Sequence, residues 1–167
     1  MIDHSERQNW NKWVIFDLDG TLADIEDRRQ LCTKDNGKMD WNKFFDPDNI
    51  KLDKPNMPVI MMAQALDAMG YKIAIFSGRS ASTSKATQAW LEKHEVPFSL
   101  LKLRPEKHPF KFMPDEKLKL QWFEETFVIP ENMDETKVVA VFDDRQKVVD
   151  MWREIGLTCM QVAPGNF

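Results

Sequence analysis

The stretch that decides the fold is Trp13–Leu22, which reads WVIFDLDGTL. Its apolar part, Val14–Phe16, is short and rich in β-branched and aromatic residues, which is typical of a strand buried on both faces. Asp17 and Asp19 follow at once, two positions apart, so at a strand end they point in roughly the same direction. A glycine behind them allows the chain to turn sharply. The stretch therefore predicts a buried strand that ends in two neighbouring carboxylates.

Four more apolar runs of this kind lie further along the chain, and segments with helical periodicity separate them. The runs are Ile73–Phe76, Leu100–Leu103, Val138–Phe142 and Leu157–Val162. The predicted helices begin at Pro58, after Ser80, at Asp115 and near Val148. In the first of them, Val59, Met62, Leu66 and Met69 share one face. Strands that alternate with helices predict an α/β fold, in which helices cover both faces of a mostly parallel sheet.

The segment from about residue 24 to residue 56 does not continue this alternation. It is polar, contains Asp46-Pro47-Asp48 and carries three aromatic residues, Trp41, Phe44 and Phe45. We interpret it as a small cap-like insertion in a single domain spanning residues 1–167. The aromatic residues either form a small core inside the insertion or stack on a base of a substrate.

Composition excludes several classes of protein. With 43% hydrophobic and 11% aromatic residues, the 167-residue chain is not globally disordered. A net charge of −4 argues against a broadly basic nucleic-acid-binding surface, although residues 100–121 hold six lysines and arginines against three acids. That stretch either lines a nucleic-acid path or is a solvated loop. No apolar run approaches the ~18 residues of a membrane span. With only two cysteines, the expected location is a reducing cytoplasm.

Further polar residues occupy the places where a parallel sheet binds ligands, the carboxyl ends of its strands. Ser77-Gly78-Arg79 offers a hydroxyl, backbone N–H groups at a predicted helix N-terminus and a guanidinium, which together suit an anion. Asp143 and Asp144 end the fourth predicted strand with the hard oxygen ligands that Mg²⁺ prefers. Asp115 and Lys119 share one face of a predicted helix, where Lys119 reaches a phosphate while Asp115 holds it. Each feature alone is a turn, a cap or a solvated pair, but together they predict a catalytic site.

In this order, the residues resemble the four motifs of the haloacid dehalogenase superfamily, which implies a Rossmann-like sheet with a cap. From Val14 to Phe167 the sequence is similar to the phosphatase domains of bacteriophage polynucleotide kinase/3′-phosphatases, most specifically over 142–153 and 161–167. Arg28, eleven residues after Asp17, falls where those phosphatases have a functional arginine. The insertion between Gln30 and Pro55 does not obviously match. The chain also lacks the Gly-x-x-x-x-Gly-Lys-Ser/Thr loop of a kinase.

The resemblance implies a Mg²⁺-dependent phosphatase that works through an aspartyl-phosphate. Asp17 attacks phosphorus, while Asp19 protonates the leaving oxygen and then deprotonates the hydrolytic water. The other implied roles are metal binding for Asp17, the Asp19 carbonyl, Asp143 and Asp144; phosphate binding for Ser77, Gly78 and Lys119; substrate contact for Arg28 and Arg79; and support for Asp115 and Thr21.

The implied substrate is a 3′-phosphate at a DNA or RNA end, with a separate kinase or ligase as a possible partner, in the host cytoplasm if a phage encodes the protein. A 5′-nucleotidase for free mononucleotides is the alternative, favoured by the net charge and the aromatic insertion. A non-catalytic binding module is disfavoured because both Asp17 and Asp19 are present. A phosphomutase uses the same residues, but the short insertion argues for water as the acceptor.

Overall fold

The computed structural model of the chain describes residues 11–128 and 137–165. Within these residues the strands are β1 (Trp13–Phe16), β2 (Ala23–Asp24), β3 (Lys54–Pro55), β4 (Lys72–Ser80), β5 (Leu100–Arg104), β6 (Val138–Arg145) and β7 (Cys159–Gly165). The α-helices are α1 (Glu26–Cys32), α2 (Trp41–Phe44), α3 (Pro47–Ile50), α4 (Met57–Ala68), α5 (Ser84–Lys93), α6 (Asp115–Phe127) and α7 (Gln146–Glu154).

Five of the strands form one sheet in the order β5–β4–β1–β6–β7, and every pair of neighbours in it is parallel. Val14 and Phe16 on β1 pack into the same core cluster as residues of α4 and α5. Ile15 points to the other face, where it shares a cluster with residues of α6 and α7. The predicted α/β fold, a parallel sheet with helices on both faces, is confirmed.

The buried face of α4 differs from the predicted one. Ile60 and Ala63 are fully buried, and Val59 and Leu66 pack against the same cluster. Met62 and Met69, which we predicted to share a face with Val59 and Leu66, are 47% and 62% exposed. Each residue advances ~100° around an α-helix, so Met62 and Met69 lie on the far side when Ile60 and Ala63 meet the sheet. A methionine contributes to an apolar pattern whether it is buried or exposed. Periodicity alone therefore did not distinguish the buried face of α4 from its exposed face.

β4 and β6 continue past their predicted ends. Ser77–Arg79 belong to β4, and Asp143 and Asp144 belong to β6, although the register of pairing shifts in both places. After Ser80 a short 3₁₀ turn, Ala81–Thr83, separates β4 from α5. The helical segment predicted after Ser80 therefore begins with this turn, and the helix N-terminus that we predicted beside Ser77–Arg79 lies beyond Ser80.

Residues 24–56 leave the core and return to it through β2 and β3. These two strands pair antiparallel, with Ala23 opposite Pro55 and Asp24 opposite Lys54. Since the chain departs after β1 and rejoins the core at the start of α4, the segment lies over the carboxyl edge of the sheet. It contains α1, α2 and α3, and the carboxylates of Asp40 and Asp46 cap the last two by accepting backbone N–H hydrogen bonds. The interpretation of residues 24–56 as a cap remains a prediction.

None of the helices in the described part of the chain is long and apolar enough to cross a membrane.

Candidate active site

Three carboxylates meet at the carboxyl edge of the sheet, where β1 and β6 lie side by side. Asp17 directly follows β1, while Asp143 and Asp144 are among the last residues of β6. One ligand oxygen from each lies within 4.8 Å of the others, and all three residues are buried. The site arises because neighbouring parallel strands end at the same edge.

Lys119 reaches this cluster from α6. Its Nζ donates to Asp17 Oδ1 at 2.6 Å and to Asp143 Oδ2 at 2.7 Å, and the residue is 3% exposed. Burial opposes the charged form, but the negative charges of Asp143 and Asp17 outweigh it and raise the pKa of Lys119 above its usual value. The cluster therefore contains a permanent positive charge beside Asp17.

The electrostatics of the cluster fit a divalent cation. Burial raises the pKa of Asp17 well above its usual value, because Lys119 offsets only part of the cost of desolvation. Burial and the charge of Asp143 raise the pKa of Asp144 to about 6. These raised pKa values mean that Lys119 offsets only part of the negative charge that the three carboxylates carry when they ionise. A set of carboxylate oxygen atoms is what Mg²⁺ prefers as ligands.

The Asp19 carboxylate lies beside the cluster but outside it. Arg28 Nη2 and Arg79 Nε each donate to Asp19 Oδ1 at 2.8 Å. None of the residues that the structure describes donates to the other oxygen, Oδ2, and the side chain is 18% exposed. Burial opposes ionisation of Asp19, but Arg79 and Arg28 outweigh it and lower the pKa of the carboxyl group. One oxygen is thus held in place while the other is available to a ligand.

Arg28 and Arg79 share a second carboxylate, Asp53, at the end of the insertion. Arg28 Nε donates to Asp53 Oδ1 at 2.8 Å, and Arg79 Nη2 donates to Asp53 Oδ2 at 2.6 Å. The side chains of all three residues are fully buried. Both arginines therefore bind the carboxylates of Asp19 and Asp53. These contacts suit a role in positioning Asp19 better than the substrate contact that we predicted.

Asp53 is the site residue that sequence reasoning missed. It follows Leu52 and precedes Lys54 in a polar segment, and no motif marks it. Its role depends on two arginines that approach from α1 and β4, which local sequence does not reveal. The one available signal was an acidic residue just before the chain rejoins the core.

Asp115 has different partners from those predicted. Its carboxylate accepts hydrogen bonds from Arg104 and Arg145, whereas Lys119, its predicted neighbour, bonds to Asp17 and Asp143. Asp115 also packs closely on Gly78, since a Cβ at that glycine would lie 2.8 Å from Asp115 Oδ1.

The remaining predicted residues lie around Asp19. Gly20 adopts a φ of +90°, and a side chain there would overlap the Asp144 carboxylate. Ser77 is fully buried, and its Oγ accepts a hydrogen bond from the Arg79 backbone N–H at 3.3 Å. Thr21 is fully buried as well, and its Oγ1 has no hydrogen-bond partner within residues 11–128 and 137–165.

A parallel sheet with an aspartate after its first strand, an aspartate pair on the neighbouring strand and a lysine between them defines a phosphatase of the haloacid dehalogenase class. A haloacid dehalogenase-like hydrolase from Streptococcus pneumoniae has the same fold, with a TM-score of 0.63 and 15% identity over 90% of this chain and 83% of its own. The chain belongs to the family described as the polynucleotide kinase PNKP phosphatase domain, whose model matches residues 11–167. The predicted superfamily and the predicted phosphatase activity are confirmed.

Two relatives in this family are 32% identical to the chain. One, from Autographa californica nuclear polyhedrosis virus, carries the provisional name bifunctional polynucleotide kinase/RNA ligase and aligns over 85% of this chain. The other lies in a solved Pnkp1/Rnl/Hen1 RNA repair complex and matches 93% of this chain with a TM-score of 0.71. The chain spans only 18% of the viral protein and 43% of the chain in the complex.

Proposed function

We propose that this phosphatase removes 3′-phosphates from nucleic-acid ends with Mg²⁺ as its cofactor. The observation that carries the proposal is the Asp17 carboxylate, placed by Lys119 and Asp143 in a buried site of a chain that matches the PNKP phosphatase domain. The names of its relatives, a polynucleotide kinase/RNA ligase and an RNA repair complex, support a nucleic-acid substrate.

In the first step, an Asp17 carboxylate oxygen attacks phosphorus. The bond from phosphorus to the 3′-oxygen breaks, and this leaving oxygen takes a proton from Asp19 Oδ2. Arg28 and Arg79 hold Asp19 by its other oxygen, so Oδ2 faces the leaving group. Asp19 is ionised before the substrate binds. The negative charge of the incoming phosphate raises its affinity for a proton, which it takes up from solvent and then gives to the leaving oxygen. The products are a 3′-hydroxyl end and an aspartyl-phosphate on Asp17.

In the second step, water replaces the nucleic acid. Asp19, now a carboxylate, accepts a proton from the water as the water oxygen attacks phosphorus. The bond from phosphorus to the Asp17 oxygen breaks, which releases inorganic phosphate and restores the Asp17 carboxylate. Asp19 is protonated at this point and gives its proton to solvent once the phosphate has left. The lowered pKa of Asp19 suits this second role, because a base must be ionised.

The phosphoryl oxygens need positive charge and donors throughout both steps. Lys119 supplies a fixed ammonium, and Ser77 and the backbone N–H of Gly78 are the donors that we assign to the phosphate. Asp17, the Asp19 carbonyl, Asp143 and Asp144 are the ligands that we assign to Mg²⁺. The ion supplies charge that offsets the carboxylates and the phosphate together.

Partners follow from the chemistry of the product. A strand that ends in a 3′-hydroxyl is the acceptor that a nucleic-acid ligase requires, so we propose that the domain acts before a ligase and beside a 5′-kinase. The named activities of the viral relative, and the complex in which the second relative lies, support this placement.

The 5′-nucleotidase is the second candidate, because the exposed Trp41 on the insertion suits a single nucleotide as well as a strand end. A substrate panel separates the two. One preparation receives a 3′-phosphorylated oligonucleotide, its 5′-phosphorylated counterpart, and free 3′- and 5′-mononucleotides. We expect the 3′-phosphorylated oligonucleotide to give the highest kcat/KM, and its affinity to fall more steeply with salt than that of a mononucleotide.

Asp17→Asn controls for contaminating phosphatases, because a neutral amide is a poor nucleophile and this variant should show no turnover. Asp67→Asn, which changes an exposed aspartate on α4, should match the wild type. If the enzyme prefers free 5′-mononucleotides and does not hydrolyse the 3′-phosphorylated oligonucleotide, the assignment to end repair is wrong and the protein is a 5′-nucleotidase.

A further inference from the structure

The three aromatic residues of the insertion are not equivalent. Phe44 is 6% exposed and belongs to the main hydrophobic core, and Phe45 packs against the same cluster. Trp41 is 57% exposed. Packing against the core of the sheet therefore accounts for the two phenylalanines but not for the tryptophan.

The Trp41 ring is nevertheless held in a defined orientation. It lies nearly parallel to the Phe45 ring, with centroids 5.8 Å apart and an interplanar angle of 21°. The Phe44 ring meets it edge-on, at 5.7 Å and 80°. The two phenylalanine rings thus restrain the indole, while more than half of the residue's surface stays exposed. A flat aromatic surface fixed in this way is preorganised for stacking.

The position of Trp41 connects it to the active site. The insertion leaves the core after β1 and so lies at the edge of the sheet that carries Asp17 and Asp19. The Arg28 guanidinium lies 4.1 Å from the centre of the Phe44 ring, donates to the Phe44 carbonyl at 3.1 Å, and donates to Asp19 at 2.8 Å. A series of contacts, from the indole to the Phe44 ring and from Phe44 to the Arg28 guanidinium, therefore connects Trp41 with the carboxylate that we assign to proton transfer.

We propose that Trp41 is a stacking platform for a base within the last two nucleotides of the phosphorylated strand. This inference rests on the proposed function, because a substrate with a phosphate at Asp17 must extend its nucleosides along the same edge of the sheet. Base stacking on an aromatic side chain tolerates any sequence, which suits an enzyme that acts on ends rather than on motifs. Trp41 is thus a binding residue that touches the substrate and leaves the chemistry unchanged.

The test compares two 3′-phosphorylated oligonucleotides, one with all its bases and one with abasic sites at the last two positions. For the intact oligonucleotide, Trp41→Ala should raise KM by about 5-fold to 150-fold, the range that corresponds to the loss of one stacked base, with little change in kcat. For the abasic oligonucleotide, Trp41→Ala and the wild type should have the same KM. Trp41→Phe keeps an aromatic face and should restore most of the affinity.

Met69→Ala is the matched control. Met69 is 62% exposed, but it follows the end of α4, next to the chain that starts β4, at the opposite edge of the sheet. This variant removes a similar exposed apolar side chain and should leave both KM values unchanged.

Two results would contradict the assignment of Trp41 as a stacking platform. One is an unchanged KM of Trp41→Ala for the intact oligonucleotide. The other is an equal loss on the intact and abasic substrates, which indicates that Trp41 only supports the insertion.

A binding measurement separates failure of the platform from failure of the proposed function. Fluorescence anisotropy of a 5′-labelled, 3′-phosphorylated oligonucleotide is recorded with Asp17→Asn and with the double variant that adds Trp41→Ala. If the wild type does not hydrolyse the 3′-phosphate but binding still depends on Trp41, the stacking role of Trp41 is supported and the proposed function is contradicted. If hydrolysis occurs but neither binding nor KM changes on substitution of Trp41, only the stacking role is contradicted.

Discussion

Asp19 binds both of its arginines through a single oxygen, and this geometry assigns a role to each oxygen of the carboxylate. Oδ1 accepts the hydrogen bonds of Arg28 and Arg79, so it fixes the orientation of the side chain. Under the proposed mechanism, Oδ2 is the atom that transfers the proton. The arrangement resembles a general acid–base catalyst whose position is set by groups that do not react.

The first prediction concerns this residue. Asp19→Asn removes the proton transfer and should lower kcat/KM, which reports on formation of the aspartyl-phosphate, by roughly 10²–10⁴-fold for a 3′-phosphorylated oligonucleotide. The loss of kcat/KM should be much smaller for p-nitrophenyl phosphate, because p-nitrophenolate leaves without a proton. Steady-state kinetics on both substrates measure the difference. An equal loss on the two would assign Asp19 a structural role instead of acid catalysis.

At the scale of single residues, the sequence predicts those groups that follow a strand directly. Asp17, Asp143 and Asp144 stand next to apolar runs, and the topology of a parallel sheet is enough to bring them together. Asp53 was not predictable in this way, because its importance comes from two arginines of α1 and β4 that meet only in the folded chain.

At the scale of elements, ion pairs as well as the polypeptide chain connect the insertion to the sheet. Arg28 lies on α1, inside the insertion, and Arg79 lies on β4, in the core. Asp53 binds both of them just before β3. Burial raises the pKa of Asp53 to about 6 although both arginines oppose the shift, so the residue is ionised at neutral pH.

The second prediction concerns this connection. Asp53→Asn leaves two buried guanidiniums with less compensation, and breaking such a buried pair costs about 3–5 kcal/mol. We expect a correspondingly lower free energy of unfolding in urea near neutral pH, together with a lower kcat because Asp19 loses its support. Asp48→Asn is the matched control within the insertion, since Asp48 forms an exposed pair with Lys51 and should change neither value measurably. A variant Asp53→Asn as stable as the wild type would contradict this account.

The element boundaries show what periodicity cannot supply. The apolar cores of β4 and β6 were predicted from sequence, but their continuation through Ser77–Arg79 and Asp143–Arg145 was not, because those residues are polar and read as loop. The short helices α2 and α3 were missed as well. Four residues are too few for a periodic pattern, and such helices depend on their caps and on tertiary contacts.

At the scale of the whole molecule, the buried acidic cluster should make the stability of the domain depend on pH. Burial raises the pKa of Asp17 well above its usual value and that of Asp144 to about 6. A carboxyl group whose folded pKa is raised costs stability once it ionises. Without metal, the domain should therefore lose stability as pH rises from the ordinary carboxyl range through about 6.

The third prediction follows from this linkage. A divalent ion offsets the cost of ionisation, and protons compete with it for the same oxygen atoms. The rise in melting temperature on adding saturating Mg²⁺ should be small at about pH 5 and larger at about pH 8. Thermal unfolding at constant ionic strength measures it, and Asp143→Asn should abolish most of the rise. A rise that is equal at both pH values would contradict the assignment of these carboxylates to the metal site.

The architecture as a whole was the part that the sequence specified best. Alternating strand and helix patterns leave few ways to cover both faces of a parallel sheet, and the carboxyl edge then becomes the place for chemistry. The internal arrangement of residues 24–56 was not predictable, since it rests on buried ion pairs and aromatic contacts rather than on a repeated pattern.

The ion pairs of Asp53 limit how far the insertion can be treated as an exchangeable module. Grafting residues 24–56 onto another scaffold of this fold would bury Asp53 and Arg28 there, and the scaffold would have to supply the guanidinium that Arg79 contributes here. Deleting the segment would remove the hydrogen bond from Arg28 to Asp19, and it would leave Arg79 without Asp53, its second carboxylate partner. Recombination between such enzymes should therefore preserve Arg28, Asp53 and Arg79 as an inherited set, even where the aromatic surface of the insertion changes freely.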